Sequence, residues 1–408
     1  MREVVLRSGR RRPTMAAHPE VSQVLMASVV VLGSTGSVGR NCLDVIQALG
    51  DRLSVLGLSA HRQWQQLCQQ AETFHPRWVT LTDDDCAPEL GPFIAGGTTR
   101  VLRGSEGVEA MASSPDTDVV LTAIVGAAGL RGTWAALESG KTVAVANKET
   151  LVLAGPLVMD LARRRGARLI PVDSEHSALF QALQAGRRSE VRRVVLTASG
   201  GPFRRLPASE LERVTVAQAL AHPTWRMGPK ITIDSATMMN KALEVIEARW
   251  LFDLKPEQIE VVVHPESIVH SMVEFTDGSV VAQASPPDMR LPIQYALTYP
   301  DRVSGPARRM DFTQTYQWNF EPPDFEKFPA LELGYEAARR GGTAGAVLNA
   351  ANEAAVERFM NEQIGFADIP RACRAVLENH DFEASPTLEG LLASDRWARK
   401  EVRRWTRS

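Results

Sequence analysis

From about residue 27 the chain alternates short apolar runs with longer amphipathic segments: "ASVVVLG", "VGRNCLDVIQALG", "LSVLGLSA", "QWQQLCQQAETF" and "RWVTLT" follow one another in that order. Apolar runs separated by segments of helical period are what parallel strands and their crossover helices look like in sequence. The pattern continues through "TDVVLTAI", the helix "RGTWAALESG", "KTVAVAN" and the run "ARLIPV". It predicts a doubly wound, Rossmann-like α/β domain over residues 27–172.

Beyond Asp173 the pattern changes. The runs "VRRVVLTASG", "EVVVHP", "HSMVEFTDG" and "SVVAQAS" predict a second sheet with an antiparallel hairpin across "TDGS", within a central α+β domain over residues 173–298. A linker over 299–322 leads into the Pro-rich "EPPDFEKFPA", and residues 323–408 then read as helices with apolar stripes: "ALELGYEAARRG", "AVLNAANEAAVERFM" and "TLEGLLASDRWARKEVRRWTRS". The expected role of this helical domain is packing and assembly.

Composition narrows the partners. The 46 basic and 48 acidic residues leave a net charge of -2, so no overall field favours nucleic acid or an anionic membrane, and a small polar ligand is expected. No apolar run approaches the roughly 18 to 20 residues that span a bilayer. Cys42, Cys68, Cys86 and Cys373 form no Cys-x-x-Cys pair, which predicts reduced structural thiols in a cytoplasmic protein. Residues 1–26 are basic without an apolar h-region and carry Glu3 and Glu20, so they read as a disordered extension, with Met15 and Met26 as alternative starts.

Several places along the chain carry candidate chemistry. In "VVVLGSTGSVGRNCLDVI", Gly33, Gly36 and Gly39 lie between a strand and a helix, where glycines admit a pyrophosphate to the helix N-terminus. A tight structural turn is the alternative; the βαβ context favours a nucleotide. The second strand ends in "SAHRQW" without the acid that an NAD ribose would use, and Arg62 suits the 2'-phosphate of NADP, although it could equally be a solvated helix-start residue. Later, "VANKETLVLAG" sets Asn147, Lys148 and Glu149 at the carboxyl edge of the sheet.

The second place is "PVDSEHSALF". In extended backbone Asp173 and Glu175 share a face, and two like charges aimed at one point call for a cation such as Mg²⁺ or Mn²⁺. His176 would face the other way and support the site without ligating. Equally, Asp173 or Ser174 could cap a helix whose dipole favours the acids. A third place supplies what the acids lack: if a helix starts near Ser235 in "IDSATMMNKALEVIEARW", Asn240, Lys241 and Glu244 share one face, with Leu243, Ile246 and Trp250 on another. The turn "TASGGPFR" could present Ser199 and backbone amides to a phosphate, and "AHPTWRMGPK" reads as a lid carrying His222 and Trp225.

Taken together, "GSTGSVG", "AIVGAAGL", "ANKET", "PVDSEH", "SGGPFR", "HPTWRMG", "IDSATMMNKALEVIEARWLF", "HPESIVHSMV" and "LNAANEAAV" resemble the 1-deoxy-D-xylulose 5-phosphate reductoisomerase family, in family order from about residue 28. The resemblance implies a homodimeric enzyme of non-mevalonate isoprenoid synthesis. It would use NADPH and Mg²⁺, Mn²⁺ or Co²⁺ to convert 1-deoxy-D-xylulose 5-phosphate to 2-C-methyl-D-erythritol 4-phosphate. By motif position it implies metal ligation by Asp173, Glu175 and Glu244. Ser174, Ser199, His222, Trp225, Ser235, Asn240 and Lys241 would surround the substrate with Glu175 and Glu244, and Lys148 would stand near its reacting hydroxyls. Gly33, Thr35, Gly36, Ser37, Val38, Arg62, Gln63, Asn147, Lys148, Glu149 and Gly228 would line the NADPH site. Gln63 departs from the Asn that many members carry there.

Two rival readings are weaker. A semialdehyde dehydrogenase can share the glycine loop but needs a nucleophilic Cys in the second domain, and none lies between Cys86 and Cys373. A nucleotide-sensing or scaffold protein would leave three convergent carboxylates unexplained.

Overall fold

A computed structural model describes residues 26–83, 85, 97, 99–225 and 227–407, so the basic extension up to residue 25 and Cys86 lie outside the described residues. The first domain holds seven parallel strands in the order β4-β3-β2-β1-β5-β6-β7. These are Ala27–Leu32, Leu53–Ala60, Trp78–Leu81, Arg100–Arg103, Val119–Thr122, Thr142–Val145 and Arg168–Pro171, numbered β1 to β7 in chain order. Strand β4 and the helix after it, Gly104–Ser113, escape the sequence reading, because "RVLR" is a half-exposed edge strand with charged ends. The strand order reverses between β1 and β5. Their carboxyl ends therefore open the crevice where ligands of such sheets bind.

The second sheet has the order β11-β10-β8-β9, with β8 (Val191–Ala198) parallel to β9 (Ile259–Val263), and β10 (Val269–Phe275) antiparallel to both β8 and β11 (Val280–Ala284). The hairpin across Thr276–Ser279 is present as the pattern predicts.

Helix α1 (Ser37–Ala48) follows β1, α2 (Lys148–Arg165) follows β6, and α3 (Ser174–Ala182) follows β7. The segment expected to be one helix from Ser235 is two: α4 (Pro229–Ala236) and α5 (Met239–Leu251). Thr237 Oγ1 turns back to the Ile233 and Asp234 carbonyls and accepts from Met239 N at 3.3 Å, offering the backbone a local alternative to the helical ladder. Met238 then takes a left-handed φ of 63° and re-aims the chain. Ser235 thus ends one helix, while Asn240, Lys241 and Glu244 begin the next.

Helix α5 is the hub of the molecule. It packs on α2 of the first domain and on the C-terminal helix Ala330–Arg340, with Leu243 and Ile246 fully buried in a core shared by the second sheet and the helical domain. These contacts depend on backbone closeness: a Cβ on Gly334 would lie 2.5 Å from Ala242 Cα and O. Helix Arg290–Thr298 instead packs on α1, and Ile293, Ala296 and Leu297 join the first domain's core. Replacing Gly334 by Ala should push α5 outward and cost about 1–3 kcal/mol. Urea unfolding measures this, and a midpoint unchanged from the parent would contradict the close approach.

Candidate active site

The nucleotide crevice is built on the turn between β1 and α1. Gly33 has φ +87°, and a Cβ there would lie 2.8 Å from the Ala123 carbonyl at the end of β5. Gly36 stands at the N-cap of α1 without a side-chain cap, so the first amides, beside Ser37 and Val38, remain open to an anion. Thr35 is buried, and its carbonyl accepts from Arg40 Nη1 at 2.8 Å. At the end of β2, Arg62 Nε donates to Asp83 Oδ2 at 2.5 Å, and Gln63 occupies the N-cap of the next helix without capping it. Asn147 caps α2, its Oδ1 accepting from Thr150 N at 2.9 Å while its Nδ2 donates to the Gly126 carbonyl and to Glu149 Oε2.

The acidic cluster forms, though not from an extended strand. Helix α3 begins at Ser174, so Glu175 lies in its first turn and Asp173 at its N-cap. The Asp173 carboxylate does not cap the helix; it reaches Lys148 Nζ at 2.5 Å. Local hydrogen bonding would favour the cap, and the buried ammonium at the start of α2 outweighs it. Lys148 Nζ also donates to Asn240 Oδ1 at 2.8 Å and Glu244 Oε1 at 3.1 Å. Lys241 Nζ bridges Glu175 Oε1, at 2.8 Å, and Glu244 Oε2. Ser174 Oγ donates to Glu175 Oε2.

Electrostatics follow from this packing. Burial opposes every charge here, and the partners decide which survive. Against burial, Asp173 and Glu244 hold Lys148 charged well above the ordinary lysine range, and Lys148 leads in holding the Asp173 carboxyl far below its usual range. Glu244, with no exposed surface, is pushed up to about 7 by burial and by Glu175, against the pull of both lysines.

His176 is helical and buried, and its contacts are those of a support. Its Nε2 donates to the Glu244 carbonyl at 3.1 Å and lies 3.6 Å from Glu247 Oε2. Burial drops its pKa to about 4 and raises that of Glu247 well above the usual range. Glu247 was missed in sequence. Its signal was there, one turn beyond Glu244 in "LEVIEARW", but the spacing also fits a surface acid.

Ligand oxygens of Asp173, Glu175 and Glu244 lie within 4.8 Å of one another. Two oxygens bound to one Mg²⁺ stand at most about 4.2 Å apart, close to this spacing, and an all-carboxylate donor set suits a hard divalent cation once Lys148 and Lys241 yield their places on the oxygens. The residues fit the metal.

A second group gathers at the end of β8. His222 Nε2 lies 3.0 Å from Ser199 Oγ and 3.1 Å from Ser235 Oγ. Its Nδ1 accepts the amides of Thr224 and Trp225, so the neutral ring, kept so by burial, carries its proton on Nε2 and donates toward the hydroxyls. Both serine protons are then free to donate to a phosphate, beside the left-handed Gly200–Gly201 turn. Trp225 meets the His270 ring at 6.4 Å between centroids, and Gly228 N-caps α4. Lys230, the last residue of the lid segment, bridges Glu149 and Asp234, at 3.0 and 2.8 Å. Sequence reading gave it no role, because a lysine in a helix's first turn is ordinarily solvated.

Residues 29–155 match the family described as 1-deoxy-D-xylulose 5-phosphate reductoisomerase. Residues 169–252 match that enzyme's C-terminal domain, and residues 284–401 the DXP reductoisomerase C-terminal domain. The chain belongs to the 1-deoxy-D-xylulose 5-phosphate reductoisomerase family. The family's enzyme from Heliobacterium modesticaldum is 51% identical over 378 residues, covering 92% of this chain and 96% of its own. That from Geobacter metallireducens is 50% identical, covering 93% and 98%. Among solved structures, the Zymomonas mobilis reductoisomerase in complex with NADPH superposes with a TM-score of 0.87 at 44% identity, over 92% of this chain and 98% of that one. A DOX-P reductoisomerase in complex with NADPH, fosmidomycin and magnesium gives 0.89 at 41% identity, over 93% and 98%.

In this reductoisomerase fold, a cation ligated by Glu244 would expel the proton that this carboxyl holds below about pH 7. Affinity for Mg²⁺ or Mn²⁺ should therefore strengthen as pH rises from 6 through 7 and flatten above 8. Calorimetric titration at these pH values measures it; equal affinity throughout would contradict the raised carboxyl.

Proposed function

We propose that the protein is an NADPH- and divalent-metal-dependent oxidoreductase that converts 1-deoxy-D-xylulose 5-phosphate to 2-C-methyl-D-erythritol 4-phosphate in non-mevalonate isoprenoid synthesis. The observation that carries this reading is the convergence of Asp173, Glu175 and Glu244, with Lys148 and Lys241 among them, on one buried point.

Asp173, Glu175 and Glu244 hold the cation, which when bound supplies Lewis-acid stabilisation of the substrate oxygens, and NADPH in the β1–α1 crevice supplies hydride. The remaining work falls to the chain. Ser199 and Ser235, whose oxygens accept the Nε2 proton of His222, donate their own protons to the phosphate and fix one end of the substrate. Lys148, kept charged by Asp173 and Glu244, holds its protons beside the reacting hydroxyls, where negative charge develops during the carbon shift. Asn240 orients Lys148 and Glu244 together. Ser174 and Lys241 fix the Glu175 carboxylate next to substrate. Closure of the segment from His222 to Lys230, with Trp225 over the substrate, excludes water from the intermediate. We favour cleavage and recombination of the carbon chain over a one-step shift, since a site that clamps both ends keeps two fragments in register.

The cofactor reading rests on the open amides at Gly36–Val38, with Gly33 and Thr35 shaping the turn. Arg62 and Gln63, at the end of β2, would meet the 2'-phosphate, and Asn147, Glu149 and Gly228 would line the rest of the cofactor site. A homodimer is the assembly we favour: among the described residues no strand pairs with the outer edge of β11, where Val280 is 54% exposed. The buried thiols Cys42, Cys68 and Cys373 support a cytoplasmic setting, and among the described residues no helix is long and apolar enough to cross a membrane.

NADPH absorbance should fall only when deoxyxylulose phosphate and Mg²⁺ or Mn²⁺ are both present; turnover that survives exhaustive chelation would overturn the metal's role. Glu244→Gln, which keeps the side chain's shape, should lower metal-dependent kcat/KM by roughly 10–100-fold or more per folded molecule, the folded fraction being read by circular dichroism. Full activity in that variant would remove Glu244 from the site.

A further inference from the structure

The helical domain reaches the active site through a ring of contacts, polar and largely buried along one arm and closed by close packing at Gly126. Asn147 Nδ2 donates to the Gly126 carbonyl at 3.1 Å and to Glu149 Oε2 at 3.0 Å. Glu149 Oε1 accepts from Lys230 at 3.0 Å, and Lys230 pairs with Asp234 at 2.8 Å. Asp234, almost wholly buried, accepts through Oδ1 from Asn352 Nδ2 at 2.8 Å. Asn352 lies on the C-terminal helix Ala344–Met360, and its neighbour Glu353 closes the ring. A Cβ on Gly126 would stand 3.0 Å from Glu353 Oε1, so that carboxylate rests directly on the turn whose carbonyl Asn147 holds. Arg399, from the last helix, locks Glu353 at 2.6 Å.

The ring joins three parts that must act together: the Asn147–Glu149 turn at the nucleotide crevice, the root of the lid at Gly228–Lys230, and the helical domain. Stability alone is a poor account of it. Asn349 Oδ1 and Asn352 Oδ1 are buried without hydrogen-bond partners, and a half-satisfied buried amide packs less favourably than an apolar side chain. What the ring contributes is placement. Glu149 and Asp234, with Glu353 nearby, keep Lys230 charged against its burial, so the link is ionic.

We propose that Lys230 and Asn352 are positioning residues through which the C-terminal helical domain sets the lid root against the cofactor turn. This rests on the reductoisomerase reading above. Their side chains meet Glu149 and Asp234, and each acts through Glu149, Asn147 and the start of α4. When the ring is opened, the turn and the lid root lose their common reference, and the ligand bound between them, NADPH, is held less well.

The full-length chain tests this with Asn352→Leu, which removes the amide and leaves the Lys230–Asp234 pair intact, and with Lys230→Met and Lys230→Arg. NADPH affinity is read by its fluorescence on binding, alongside kcat and KM for NADPH and for the phosphosugar, and circular dichroism gives the folded fraction. Asn352→Leu should raise the Kd and KM for NADPH about tenfold, the loss of one hydrogen bond to a charged group. Lys230→Met should raise them further, and Lys230→Arg should restore most of the affinity. Should Lys230→Met fail to fold, Asn352→Leu decides. Unchanged NADPH Kd and KM in Asn352→Leu would overturn the proposal, as would a fall in kcat alone that tracks lost folded protein. A parent chain that neither binds NADPH nor consumes it with the phosphosugar would overturn the functional reading instead.

Discussion

The structure turns on one buried carboxylate. Glu244 has no exposed surface, yet it receives Lys148 and Asn240 on one oxygen and Lys241 on the other. Ionic groups taken so far from water cost several kcal/mol each, and removing one partner of such a pair costs about 3–5 kcal/mol. The cluster therefore holds only if helix α5, the start of α2 and the start of α3 are all in place. That requirement makes the cluster depend on the placement of the first domain against the second.

Helix α5 meets this demand through a break in its own sequence. Met238 in the left-handed region carries a strain of roughly 1–2 kcal/mol, offset by the burial of Met239, Leu243 and Ile246 behind it. The break separates the two chemistries. Ser235, closing α4, belongs with Ser199 and His222, while Asn240, Lys241 and Glu244, opening α5, belong with the acids. One continuous helix would have carried Ser235 and Glu244 along a single rigid axis, fixing their relation by helical geometry alone.

The protonation pattern follows from unequal partnership. Lys148 outweighs burial at Asp173 and keeps it ionised, whereas at Glu244 complete burial and the nearby Glu175 outweigh two direct ammonium partners and drive the carboxyl toward neutrality. His176, starved of solvent, stays neutral and serves by its hydrogen bond to the α5 backbone. His222 is neutral for the same reason, and its accepted amides fix which nitrogen carries the proton. Similar side chains thus reach different states through packing.

Much of this was legible in the chain itself. The apolar periodicity gave the parallel sheet, the glycine turn after β1 and the hairpin across Thr276–Ser279, because these are set by local burial pattern and turn chemistry. The family resemblance implied that Asp173, Glu175 and Glu244 share one site, and their oxygens do lie within 4.8 Å of one another. Three things lay beyond it. An edge strand of four half-exposed residues has too little apolar signal to be seen. Whether Asp173 caps its own helix or meets Lys148 is a contest between a local bond and an ammonium that only the tertiary fold delivers. The same holds for Glu247 and Lys230: each reads as an ordinary surface charge until packing against distant segments removes the water around it. Sequence alone determined which groups were available and on which elements. The fold decided which of them lose solvent together, and that loss sets their charge, their partners and their roles.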